Sequence, residues 1–195
     1  KASAQTLIHS RYNIPIPFIL APGRLDPQKN IPRVIEAYAL LKESKADLPS
    51  LVAGVRHREE ETARVDALIK KHHLEQSVFF MPYVEQEDMP LLYAGAEVVV
   101  FPSLHEGFGL PILESMAAGT PVITSNVYSM PEVAGDAALL VDPYTVSEIR
   151  DALSHLLTDK VLHAELEKKG KVNAQRYSWE KMARETATVY RSVAY

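Results

Sequence analysis

Apolar residues recur along this chain with two periods. Short runs rich in branched and aromatic residues, bounded by Gly, Pro or polar residues, alternate with longer segments whose apolar residues fall three and four apart. Phe18 to Ala21 reads as a first strand ending at Pro22-Gly23, and Leu48 to Ala53 as a second ending at Gly54. Val78 to Met81, Val98 to Phe101, Pro121 to Thr124 and Ala138 to Val141 supply a third to a sixth. Between them, Ile31 to Leu41 places Ile31, Val34, Ile35, Tyr38 and Leu41 on one helical face, with Pro32 near its start. Glu59 to His73 predicts a charged helix burying Ala63, Val65, Leu68 and Ile69, and a short helix is expected around Asp88 to Ala94. From Thr145 to Tyr190 the pattern is helical, with breaks expected near Thr158-Asp159, at Gly170 and at Tyr177-Ser178. Ser178 is a candidate N-cap with Lys181 where a capping box would carry Glu or Gln. Residues 1–16 read as a lead-in and residues 178–195 as a C-terminal helix.

Strands alternating with helices predict an α/β fold, a Rossmann-like parallel sheet of about six strands with helices on both faces. Right-handed crossovers bring the carboxyl ends of all strands to one edge, where such sheets bind ligands. The glycines and polar residues that follow the strands collect there: Gly23-Arg24, Gly54, Pro82-Tyr83, His105 to Gly109, Ser125-Asn126 and Asp142.

The stretch Phe101–Thr120, FPSLHEGFGLPILESMAAGT, organises that edge. Gly107 and Gly109 bracket Phe108, and a helix follows in which Ile112, Leu113, Met116 and Ala117 are expected to form the apolar face, with Pro111 near the first position. Glycines let a backbone approach a ligand, and the free N–H groups of a helix N-terminus favour an anion. Two carboxylates, Glu106 and Glu114, flank this entry, with Leu110 at its mouth. Carboxylates would repel phosphate but accept hydrogen bonds well from hydroxyls, so phosphate plus polyol points to a nucleotide sugar. The cations come from Gly23 to Asn30, where Arg24 directly follows a strand and Lys29 precedes a helix. No Asp-x-Asp occurs and the seven histidines show no ligand spacing, so charge neutralisation by Arg24 and Lys29 without a metal is expected.

Composition adds bounds. With 195 residues, 47% of them hydrophobic, the chain can bury a core as a single domain over residues 1–195. A formal net charge of −4 gives no support to nucleic-acid binding, and no apolar run approaches the roughly 20 residues of an integral membrane segment. The absence of cysteine fits the cytoplasm. A start at Lys1 without a signal-like segment suggests a piece of a longer chain.

Glu106 and Glu114 in EGFGLPILE, together with Met116 to Ile123, resemble the nucleotide-sugar signature of the family 4, or group 1, retaining glycosyltransferases. Gly23-Arg24…Lys29-Asn30, Phe101-Pro102-Ser103, Pro131-Glu132-Val133 and Tyr177-Ser178-Trp179 resemble the same family, from about Pro17 to the C-terminus. Pro22, where the family often has an aliphatic residue, and His105 before Glu106 are departures. The resemblance implies the C-terminal half of a two-domain GT-B enzyme that moves a hexose, mannose or glucose first among candidates, in surface-polysaccharide or glycoconjugate synthesis. It implies that Arg24 and Lys29 hold the donor diphosphate and stabilise the leaving group, beside Gly23 and the backbone of Gly107, Phe108, Gly109 and Leu110. Glu114 would bind the ribose, Glu106 the transferred sugar, and Tyr83 and Val84 the base, largely through backbone groups. Arg24, Lys29 and Glu106 are thus the implied catalytic residues, with no cofactor and no metal. The partners implied are a GDP-, UDP- or ADP-linked sugar and, through an N-terminal domain outside these residues, an acceptor glycan or lipid-linked glycan. That domain could hold the enzyme peripherally at the inner membrane face.

Two other classes share parts of this pattern. A GT-B-shaped epimerase would need bases near the sugar, for which Glu106 is the candidate. A non-catalytic assembly module would have no physical need for two cations and two acids on one edge.

Overall fold

The computed structural model describes residues 1–193; Ala194 and Tyr195, the end of the expected C-terminal helix, lie outside the described residues. Six strands form one sheet: β1 (Phe18–Arg24), β2 (Ser50–Val55), β3 (Val78–Phe80), β4 (Val99–Phe101), β5 (Val122–Ser125) and β6 (Ala138–Val141). Their order is β3-β2-β1-β4-β5-β6, and every neighbouring pair is parallel. The expected α/β architecture, Rossmann-like with about six strands, is therefore the one observed.

The pleat divides each strand between two faces. Ile19 and Ala21 of β1 point into a core with Leu51, Ala53, Val100 and Ile123, covered by α2 (Ile31–Ser44), α3 (Glu59–Lys71) and α7 (Val146–Thr158). Phe18 and Leu20 point the other way, with Val52 and Val99, into a core closed by α1 (Ala2–Tyr12) and α4 (Met89–Gly95). On that second face Phe101 and Val122 meet α5 (Leu110–Ala118) and α6 (Met130–Ala134). Burial on both faces explains why the strands read as nearly continuous apolar runs. α8 (Lys160–Ala174) packs along α5, and α9 (Trp179–Val193) buries no residue.

The elements depart from the sequence pattern in a few places, each for a local reason. Strand β2 begins at Ser50 because Pro49 carries no N–H for the ladder. The lead-in is a helix: α1 buries only Ala4 and Ile8, so its apolar stripe is too thin to show, and polar contacts add to the docking of Ile8 in the core. Gln5 Nε2 donates to Gly95 O at 3.0 Å and to Glu97 Oε1 at 2.9 Å, and Asp88 receives bonds from Arg11 and Tyr12. On α3 the buried residues are Val65 and Ile69; Leu68 is half-buried and Ala63 is exposed. On α5, Ser115 rather than Ala117 joins Ile112 and Met116 inside, because its hydroxyl is satisfied by Thr120 O at 2.9 Å. The break at Thr158-Asp159 is present, with Asp159 capping α8 through the N–H groups of Val161 and Leu162, and Ser178 accepts the Lys181 N–H at 3.1 Å.

Gly170, expected as a break, lies inside α8. A Cβ there would sit 3.1 Å from Met116 Cγ and 3.5 Å from Met116 Cα, so the missing side chain lets α8 lie against α5. Replacing Gly170 by Val should cost about 1–3 kcal/mol through overpacking. Urea unfolding should show a lower midpoint with an unchanged slope.

Candidate functional site

Strand order reverses between β1 and β4, so the connections leaving those two strands diverge and open a crevice at their carboxyl ends. Both polar segments singled out in the sequence border this crevice. β1 ends in Gly23 and Arg24, a one-turn 3-10 segment follows at Pro27–Lys29, and α2 begins at Ile31. Gly23 has φ +111°, which disfavours any residue with a side chain, and the methylenes of Lys29 pass 3.4–3.5 Å from where its Cβ would be.

Lys29 Nζ donates to Glu106 Oε1 at 2.6 Å, with the two side chains 17% and 13% exposed. The ammonium also lies 5.1 Å from the centre of the Phe101 ring. A cation expected to meet phosphate and an acid expected to meet a sugar are therefore one hydrogen bond apart. Arg24 is exposed and, among the described residues, pairs with no carboxylate.

Asn30 builds this geometry from inside. It is 2% exposed and takes a left-handed backbone, φ 60°, at the start of α2, a conformation asparagine tolerates better than most residues. Its amide donates to Pro102 O at 3.0 Å and to Pro143 O at 2.7 Å, while its own oxygen accepts from Arg33 at 2.9 Å. One side chain thus joins the loops after β1, β4 and β6, and Leu104 N donating to Gln28 O at 2.8 Å makes a second tie.

The Glu106–Leu110 loop is fixed from below by Ser129, whose hydroxyl lies 2.9 Å from Glu106 O and 3.0 Å from Phe108 O. Gly109, at φ 102°, precedes α5 without any side-chain cap, and Pro111 occupies its first turn. Within the first turn of α5 Pro111 has no N–H and Ile112 N donates to Gly109 O at 3.0 Å, so the amides without a backbone acceptor at this end are those of the loop and of Leu110. Glu114, one turn in, is exposed; Tyr93 of α4 donates to its Oε2 at 2.6 Å. Burial pushes the Tyr93 phenol far above its ordinary pKa and the neighbouring Glu114 carboxylate adds to this, so the hydroxyl stays a donor.

The remaining expected residues are placed unevenly. Tyr83 is 78% exposed beyond β3, whereas Val84 is buried. Phe108 is partly exposed and meets the Tyr177 ring edge-on at 5.8 Å. His105 makes an edge contact with Tyr128 at 4.4 Å. Asp142 is committed to its own turn, accepting from Tyr144 N and Thr145 Oγ1, bonds that hold its carboxyl below the usual range. Among the described residues no group of three His, Asp or Glu could hold a metal ion. Sequence reasoning missed Asn30, Tyr93 and Ser129 as site-builders. Asparagine directly before a helix was a usable signal for the first, but the other two look like ordinary core and loop residues.

The family described as Glycosyl transferases group 1 matches residues 9–173. "O-antigen chain mannosyltransferase B" of Escherichia coli is 38% identical over 175 residues, covering 89% of this chain and 45% of the relative. The structure of a sucrose-phosphate synthase from Thermosynechococcus elongatus superimposes with a TM-score of 0.84 at 28% identity, over 99% of this chain and 49% of that one. The C-terminal domain of a glycosyl transferase group 1 family protein from Francisella tularensis gives 0.77 at 24% identity, over 89% of this chain and 91% of that one. The chain thus spans less than half the length of the O-antigen relative.

Removing the Asn30 amide strands two buried carbonyls. Asn30→Ala should lower stability by roughly 2–4 kcal/mol in urea unfolding. Asn30→Gly, which relieves the backbone but restores neither bond, should lose most of the same amount.

Proposed function

Because the chain belongs to the group 1 glycosyltransferases, we propose that it is the donor-binding half of an enzyme moving a hexose from a nucleoside-diphosphate sugar to an acceptor. The observation that carries this reading is the meeting of Lys29 and Glu106 at 2.6 Å in the switch-point crevice, between exposed Arg24 and the start of α5. In a sugar nucleotide the diphosphate and the sugar adjoin across the bond that breaks. A cation and an acid held side by side match that junction.

On this reading Arg24, Lys29 and the backbone amides from Phe108 to Leu110 offset the charge that grows on the diphosphate as the glycosyl bond lengthens. The Lys29 ammonium has three donors, so it can bond a phosphate oxygen while keeping Glu106. Glu106, largely shielded from water and fixed through Lys29, then presents its remaining lone pairs to sugar hydroxyls. Glu114 takes the ribose hydroxyls, and the Tyr83–Val84 backbone meets the base. The relative's name makes mannose the first sugar to test. The acceptor, a glycan or lipid-linked glycan, is met by chain beyond these residues. α9 supports this, since it buries nothing and exposes Trp179, Met182, Val189 and Tyr190. No described helix is long and apolar enough to cross a membrane.

Thermal unfolding with GDP, UDP, ADP and their sugars tests the reading: the cognate nucleotide at a hundredfold excess over its Kd should add about 2.7 kcal/mol. No shift with any nucleoside diphosphate would overturn it. Lys29→Ala should weaken diphosphate binding about tenfold in calorimetric titration, with the fold retained but its unfolding midpoint lowered, because Glu106 loses its partner. Glu114→Ala should abolish preference for ribonucleotides over deoxy analogues; an unchanged preference would remove Glu114 from the ribose. Donor bound without appreciable transfer to an acceptor is the expected behaviour of the 195 residues alone.

A further inference from the structure

We propose that Tyr93 is the positioning residue for ribose recognition: its buried hydroxyl holds the Glu114 carboxylate in the one orientation that can accept both ribose hydroxyls. This rests on the reading of Glu114 given above and adds a residue from a different helix to it.

Glu114 alone is poorly placed for the task. It stands exposed on the first turns of α5, and an unrestrained glutamate there would sample several rotamers, a freedom that binding would have to remove. Among the described residues its one hydrogen-bond partner is Tyr93. That partner is rigid in two ways. The Tyr93 ring is 2% exposed and belongs to the core around Phe18, Leu20 and Val99. Its backbone carbonyl accepts from Thr120 Oγ1 at 2.8 Å, which ties α4 to the turn that follows α5. The phenol oxygen is thereby fixed relative to the helix that carries Glu114.

The bond at 2.6 Å occupies one lone pair of Oε2. Both lone pairs of Oε1 and the second of Oε2 stay open, enough for two vicinal hydroxyls. A buried tyrosine hydroxyl needs some acceptor, and a backbone carbonyl would serve that need. Choosing the carboxylate of an exposed residue instead fixes a group whose other oxygen has no hydrogen-bond donor among the described residues, which is preorganisation of an acceptor.

The test compares the best-binding nucleoside diphosphate with its 2′-deoxy and 3′-deoxy analogues by calorimetric titration, for the wild type, Tyr93→Phe, Glu114→Ala and the double variant. The wild type should prefer the ribonucleotide about tenfold. Tyr93→Phe should cut that ratio to about threefold or less and leave affinity for the deoxy analogues within twofold. In the Glu114→Ala background, Tyr93→Phe should change nothing further. Equal losses for ribo and deoxy ligands in Tyr93→Phe would mean a structural role only, and a full ratio in Tyr93→Phe would mean no role; either overturns the proposal while the Glu114 reading stands. A wild type without any ribose preference overturns both.

Discussion

The reversal of strand order between β1 and β4 is the constraint on which the rest depends. Right-handed crossovers send α2 to one face and α5 to the other, so the loops after these strands part and leave the ends of β1 and β4 uncovered. Everything polar at the centre of the site grows from those ends. Lys29 follows β1 and Glu106 follows β4, and they meet because the strands that carry them are neighbours though distant in sequence.

Divergence alone would leave two loose loops. Asn30 prevents this by spending its amide on Pro102 O and Pro143 O, so that three loops share one buried hub. Ser129 serves the Glu106–Phe108 turn in the same way from the β5 side, and Tyr93 serves Glu114 from α4. Glu114 and the Glu106–Phe108 turn are thus each held by a group behind them, while Arg24 has no ion-pair partner among the described residues. This division fits a site that must present charge without letting it wander.

Much of this was legible in the residues. β6 is read residue for residue from its apolar run, although Leu140 on this edge strand is exposed, and the apolar face of α2 is buried at each expected position, because a helix that covers a sheet leaves an unmistakable spacing. Both acids and both cations fall on the expected edge, since parallel topology fixes where every loop goes. What was not legible depends on distance across the fold. Nothing adjacent to Tyr93 in sequence distinguishes its hydroxyl from that of any buried tyrosine, and its partner lies 21 residues on. Helix α1 hid because only Ala4 and Ile8 are buried on it, the rest of its docking coming from polar contacts with Glu97 and Asp88. Gly170 looked like a break because a glycine that ends a helix and one that admits a neighbouring helix are the same letter.

The pairing of β1 with β4 also has an entropic side. Every other neighbouring pair in the sheet joins strands consecutive in the chain, through one crossover. Strands β1 to β3 and β4 to β6 are therefore two locally connected halves, and Leu20 meeting Val99 is the contact that zips them together. Bringing the halves together closes the longest chain separation of any neighbouring pair in the sheet, and so carries the largest loop-closure cost. The crevice lies between the ends of β1 and β4, so it exists only where that seam is closed and is lost wherever the seam opens.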